Sequence, residues 1–211
     1  MEQEQLQENL AQALRSDDFA TVERLARQAV EQYEGAAWGY YFLGEAFLQQ
    51  GDYERAEICL AKAIELDEDN DDYRLRFAAN KEAQALWEDA CIVYAIVLEH
   101  NPSNLHALLG LAKIFWEVEK DGEQALEYIE RAEATIAGIT PSYLVIFKTK
   151  VLLEMERYAD ALAEIDRLLD KADVEEAYAL KLSLLSRMEG EREEEIIHTH
   201  EGLCKIGRAH V

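Results

Sequence analysis

The stretch Leu43-Gly-Glu-Ala-Phe-Leu-Gln-Gln-Gly-Asp-Tyr-Glu-Arg-Ala-Glu-Ile-Cys-Leu-Ala-Lys-Ala-Ile-Glu-Leu-Asp67 decides the fold. With Tyr40 just upstream, Leu43, Gly44 and Phe47 fall at three- and four-residue spacing, which is one face of a helix. Gln50-Gly51-Asp52 ends it: glycine takes the left-handed C-cap conformation, and aspartate caps the helix that follows. Tyr53, Ala56, Leu60 and Ala63 then form one face of a second helix. The small residues Gly44 and Ala56 let two antiparallel backbones approach, and Tyr53 wedges against the turn.

The same unit recurs along the chain. Ala56 returns as Ala90, Ala125 and Ala161, at steps of 34, 35 and 36 residues, with Val22 upstream and Glu195 downstream in the same slot. A second column runs through Ala29, Ala63, Val97, Ala132 and Leu168. A third runs through Leu10, Gly44, Ala78, Ala112, Thr149 and Ser183. Three columns in step define units that begin near residues 3, 37, 71, 105, 142 and 176. Turns are predicted near Gly51, Leu86, Lys120–Gly122, Arg157 and Gly190.

This pattern resembles the tetratricopeptide repeat. Tyr40, Leu43, Gly44, Phe47, Gly51, Tyr53, Ala56, Leu60 and Ala63 occupy the family's signature slots, and the next unit matches through Phe77, Ala78, Trp87, Ala90, Tyr94, Val97 and Pro102. The first and last units are degenerate, and Glu68 and Asp173 replace the usual proline. An extra residue near Lys120-Asp121 and the glycine at 122 predict a looser turn in the fourth unit. Thr140-Pro141 reads as an N-cap followed by proline in the first helical turn. The resemblance implies an all-α fold: a right-handed α-solenoid of stacked antiparallel helix pairs, about six repeats, forming a single domain over residues 3–205.

Composition agrees with helix and limits function. Prolines are two, Pro102 and Pro141, and 49% hydrophobic against 31% charged residues is the balance of a folded chain rather than a disordered one. The net charge of −23 repels nucleic-acid phosphates and anionic lipid headgroups, which sets aside both as partners; it serves either solubility alone or a preference for basic protein surfaces. The first residues have no basic and apolar leader pattern, and no apolar run approaches a membrane span. Cys59, Cys91 and Cys204 lie far apart without a Cys-x-x-Cys pair, which fits reduced thiols in a cytoplasm.

No constellation for chemistry stands out, so the expectation is a non-catalytic protein without cofactor or metal. There is no glycine-rich phosphate loop and no His-Glu-x-x-His. His198 and His200 fall on different sides of a helix, a poor metal pair. Cys59 and Cys91, within second helices near the packing face, read as inert thiols, and Glu191–Glu195 as a solvated face.

The resemblance also implies a binding surface, because first helices line the concave side in this family. The slots carried over are Trp38, Tyr41, Leu75, His106, Leu109, Lys113, Trp116, Tyr143, Ile146, Lys150 and Leu153, with Leu180 in the last unit. Two readings stand side by side. The set is either a groove for a helix or extended peptide with apolar anchors, or Trp38, Tyr41 and Trp116 complete packing between repeats. Lys113 and Lys150 share one slot; they either meet a carboxylate of a ligand or pair with Glu117 and Glu154 one turn on, the intrahelical pairing being expected. The Lys/Asn pattern of carboxylate-clamping co-chaperones is not reproduced.

The function these features imply is a scaffold or adaptor that binds a protein or peptide. The alternatives are a recruitment module of a larger enzyme or regulator, and an assembly piece that stacks on itself. Ile206-Gly-Arg-Ala-His-Val211 resembles translated sequencing-adapter sequence, so residues 206–211 are expected to make no tertiary contacts and the natural chain to continue beyond about Lys205.

Overall fold

A computed structural model describes residues 2–188 and 193–209, with side chains for 2–188 and 196–204. Among the described residues there are twelve helices and no strand. They run α1 (Gln3–Arg15), α2 (Phe19–Gln32), α3 (Ala37–Gln49), α4 (Tyr53–Leu66), α5 (Asp71–Ala83) and α6 (Trp87–His100). Then follow α7 (Leu105–Glu117), α8 (Gly122–Thr135), α9 (Ser142–Glu154), α10 (Tyr158–Leu169), α11 (Glu175–Arg187) and α12 (Glu193–Ala209). The odd-numbered helices start at the expected unit boundaries, α11 one residue early. The chain forms two compact units, Met1–Ala107 and Leu108–Val211. The turn expected near Gly190, the slot of Glu195, and the contacts expected to be missing from Ile206 to Val211 lie outside the described residues or side chains.

The five described hairpin turns share one device. Asp17, Gly51, Ala85, Lys120 and Glu156 all have positive φ, between 55° and 75°, each two residues before the next helix. Around the left-handed residue the chain folds back so that the following N–H reaches a carbonyl of the helix just ended: Asp18 to Ala13, Asp52 to Phe47, Leu86 to Lys81, Arg157 to Leu152. Asp18, Asp52 and Asp121 then accept the backbone N–H of Thr21, Arg55 and Gln124, capping α2, α4 and α8. The sequence signal of Gly51-Asp52 is therefore one version of a turn that the first, third, fourth and fifth units build without glycine.

The fourth unit departs as its extra residue requires. Four residues, Val118 to Asp121, separate α7 from α8, and the Asp121 N–H closes on Phe115, one residue further back than in the other hairpins. The turn is wider rather than loose, since Glu119 also bonds Ile114 and Asp121 caps α8. Gly122 leaves the room normally filled by an aromatic ring. Met155 occupies it, 2.6 Å from where a Cβ would stand. Before α9, Pro141 is the N-cap rather than the first helical residue, with extended backbone and its carbonyl accepting from Leu144 and Val145. Thr140 therefore does not cap this helix, against the expectation from Thr140-Pro141.

The alanine columns are contact points in both units. In the first, Leu6, Leu10, Val22, Ala26, Ala29, Phe47 and Ala56 share one core, joined by Trp38, Phe42 and Leu48 from its margin. A Cβ on Gly44 would sit 2.6 Å from the Leu60 side chain, so α3 and α4 meet where glycine alone fits. Between hairpins, buried Asn80 donates to the Tyr53 carbonyl at 3.1 Å, and Lys81 Nζ donates to Glu57 at 2.8 Å. In the second unit Ile129, Leu144, Ile165 and Leu184 are fully buried. There Lys148 bridges Glu133 at 2.8 Å and Glu164 at 3.2 Å, tying α9 to α8 and α10. Cys59 and Cys91 are half-buried, and burial, the first cause, pushes the Cys59 thiol up from its ordinary range.

Candidate functional site

In the first unit the face built by α3 and α5 carries three of the expected positions. Trp38 is half-buried and leans on the core, its ring 5.9 Å from Tyr33. Tyr41, one turn on, lies 5.2 Å from Tyr73 of α5 and edge-on to Phe42 at 5.5 Å. Leu75 is half-buried on α5. Beneath Tyr41 sits Glu45, 2% exposed, whose Oε2 lies 2.8 Å from Arg76 Nε. Burial first, then the Glu45 charge, holds the Tyr41 hydroxyl above its ordinary pKa, with Arg76 opposing. Glu45 and Arg76 are residues that sequence reasoning passed over. Glu45 follows Gly44 as Lys113 follows Ala112 and Lys150 follows Thr149. That register was the available signal, hidden because a glutamate in an acidic chain reads as surface.

In the second unit α7 and α9 supply the face. Leu109 is half-buried and Lys113 exposed. Trp116 is half-buried, its ring 5.3 Å from Phe147 of α9, and its Nε1 donates to Glu154 Oε2 at 2.6 Å. Tyr143 is 54% exposed at the start of α9. Lys150 Nζ donates to Glu176 of α11 at 2.7 Å. The intrahelical Lys150–Glu154 pair expected from spacing is thus replaced by two contacts between helices, because α11 brings an acid to Lys150 while Trp116 takes Glu154. Ile146 and Leu153 are 6% and 9% exposed and belong to the packing of this unit, not to an accessible surface. Leu180 is half-buried on α11. His106, at the start of α7 and assigned to the first unit, is exposed.

Chemically, these faces combine three kinds of group. They offer aromatic rings with one edge open, cations and carboxylates already in pairs, and apolar side chains between them. Among the described residues no group of three or more His, Cys, Asp or Glu side chains is placed to hold a metal. His198 and His200 are exposed on either side of buried Thr199. No described helix is long and apolar enough to cross a membrane.

Comparison with known proteins places the fold. Residues 37–70, which are α3, α4 and the turn after them, match the family model for the tetratricopeptide repeat. No curated protein matches the chain in sequence. Among solved structures it is similar to the C-terminal part of a TPR repeat-containing protein from Cytophaga hutchinsonii, with 10% identity and a TM-score of 0.77 over 95% of this chain and 78% of that one. It is also similar to PilF of Pseudomonas aeruginosa, with 14% identity and a TM-score of 0.76 over 98% and 89%. A third similar structure is YrrB, described as a TPR protein with an unusual peptide-binding site, with 16% identity and a TM-score of 0.65 over 86% and 91%. At these identities the likeness is one of fold.

Proposed function

We propose that this chain, a tetratricopeptide-repeat protein, is a non-catalytic scaffold that binds a protein or peptide segment on the faces of its first helices. The observation that carries the reading is the pair of open aromatic contacts, Tyr41–Tyr73 on α3 and α5 and Trp116–Phe147 on α7 and α9. Each joins successive first helices, keeps a ring partly exposed, and stands beside an ordered charged group, Glu45–Arg76 or Glu154. A ring held on one side and open on the other loses little freedom when a ligand covers it, which suits it to anchor a partner. The peptide-binding site named for YrrB supports the class of ligand, and the net charge of −23 favours a basic one.

Affinity capture tests the reading, comparing the native chain with Tyr143→Ser, a change at an exposed side chain. Tyr143 makes little of the core, so that variant should melt close to the native chain while losing its captured partner. Identical captured proteins from both chains would end the proposal.

A further inference from the structure

We infer that the outer face of α4 and α6, on the second helices rather than the first, is a separate docking surface for a basic amphipathic helix. Ile58 is 70% exposed on α4, and Ile92 and Ile96 are 59% and 37% exposed on α6. Exposed Ala61 and Ala95 lie between them. These are not scattered residues. Ile58 and Ile92 occupy the same slot of successive units, as do Ala61 and Ala95, so the two helices present one motif twice. Lys81 of α5, the helix that packs against both, ties them together, donating to Glu57 of α4 at 2.8 Å and lying 3.8 Å from Asp89 of α6. On the α3 side of Ile58 and Ala61 a cleft of about 430 Å³ opens between α3 and α4, with Tyr40 in its wall and the Lys62–Glu65 pair at its rim.

Carboxylates close both ends of this apolar strip, again in register. Glu54 and Glu88 stand at the start of the two helices, Glu65 and Glu99 at the end, all exposed. Eleven residues of helix separate the two rows, about 16 Å at 1.5 Å per residue. The motif stops at α2, where the corresponding slots hold Arg24 and Arg27; Arg27 is tied to Glu23 at 2.7 Å, as Lys62 is to Glu65. An occupant that matches the strip is a helix with an apolar seam and lysine or arginine about three turns apart. A second copy of the chain fits poorly. Both ends of the strip are acidic, so either orientation sets carboxylate against carboxylate between two molecules that each carry −23.

The test uses the full chain and a labelled synthetic helical peptide with leucines along one face and lysines at both ends, read by fluorescence anisotropy. Native chain should bind it, and should prefer it to the same peptide with glutamates in place of lysines. Ile58→Ser/Ile92→Ser should weaken binding tenfold or more, and Ala61→Gln/Ala95→Gln should do the same by crowding the strip. These side chains are exposed, so the melting temperature checks that each variant is folded. Glu88→Lys/Glu99→Lys should shift preference toward the acidic peptide. No binding by the native chain, or equal binding by the isoleucine and alanine variants, would overturn the inference. So would a dimer in sedimentation that Ile58→Ser/Ile92→Ser dissolves, since that makes a second copy the occupant.

Discussion

Trp116 of α7 donates its indole N–H to Glu154 of α9 at 2.6 Å while its ring leans on Phe147. One side chain thus packs against the next repeat and faces outward, so the groove and packing readings of this residue are not exclusive. Removing it must show in stability. Trp116→Ala should lower the free energy of unfolding by about 1–2 kcal/mol, less than for a fully buried ring, because an aromatic pair and part of its area are lost. Trp116→Phe should recover most of that. Urea melts of both variants decide, and an unchanged midpoint for Trp116→Ala would show that the ring contributes nothing to packing.

The turn device predicts opposite signs for matched substitutions. Gly51 and Ala85 hold the same slot with φ of 75° and 57°. Gly51→Ala should cost about 1 kcal/mol, the penalty of a Cβ in left-handed backbone. Ala85→Gly should relieve that penalty, offset in part by the freedom glycine gains in the unfolded chain, giving a smaller change toward stability. Thermal melts of the two variants should move in opposite directions.

The contact of α3 with α4 has no spare room. Ala56 is fully buried, and a Cβ on Gly44 would meet Leu60 at 2.6 Å. Ala56→Leu should therefore overpack and cost about 1–3 kcal/mol, with Gly44→Ala acting in the same direction. Urea denaturation with an unchanged midpoint for Ala56→Leu would place that face elsewhere.

Alkaline pH should weaken the first unit through Tyr94. Its hydroxyl donates to Glu82 at 2.5 Å; burial first, then that hydrogen bond and the carboxylate charge, raise its pKa far above the ordinary tyrosine value. With the folded pKa raised, the stability it protects is intact below about pH 10, the unfolded value, and falls as pH rises beyond it. Tyr94→Phe should cost about 1–2 kcal/mol at pH 7 and flatten the decline between pH 9 and 11. Parallel slopes for the two chains would show that Tyr94 does not carry it.

The sequence by itself determined the helices, their pairing into hairpins and the burial of the alanine columns. Each of these follows from local spacing: small residues recur where two backbones cross, and a left-handed residue recurs two positions before the second helix in each of the five described turns. It also marked the extra residue before α8, which the wider closure of Asp121 on Phe115 absorbs. Even the turn slot was legible from Gly51, although Ala85, Lys120 and Glu156 show that position, not residue type, sets the left-handed bend. What only the tertiary structure decided is which side chains meet across successive hairpins. Spacing gave Lys150 to Glu154, but stacking gave Lys150 to Glu176 and Glu154 to Trp116, partners 26 and 38 residues apart. It buried Ile146 and Leu153 in slots expected to face a ligand, and set the buried carboxylate of Glu45 against Arg76. A helix fixes the direction of its side chains within a turn; the rotation and offset of the next hairpin, set by the packing of the whole face, fix what each side chain finds there.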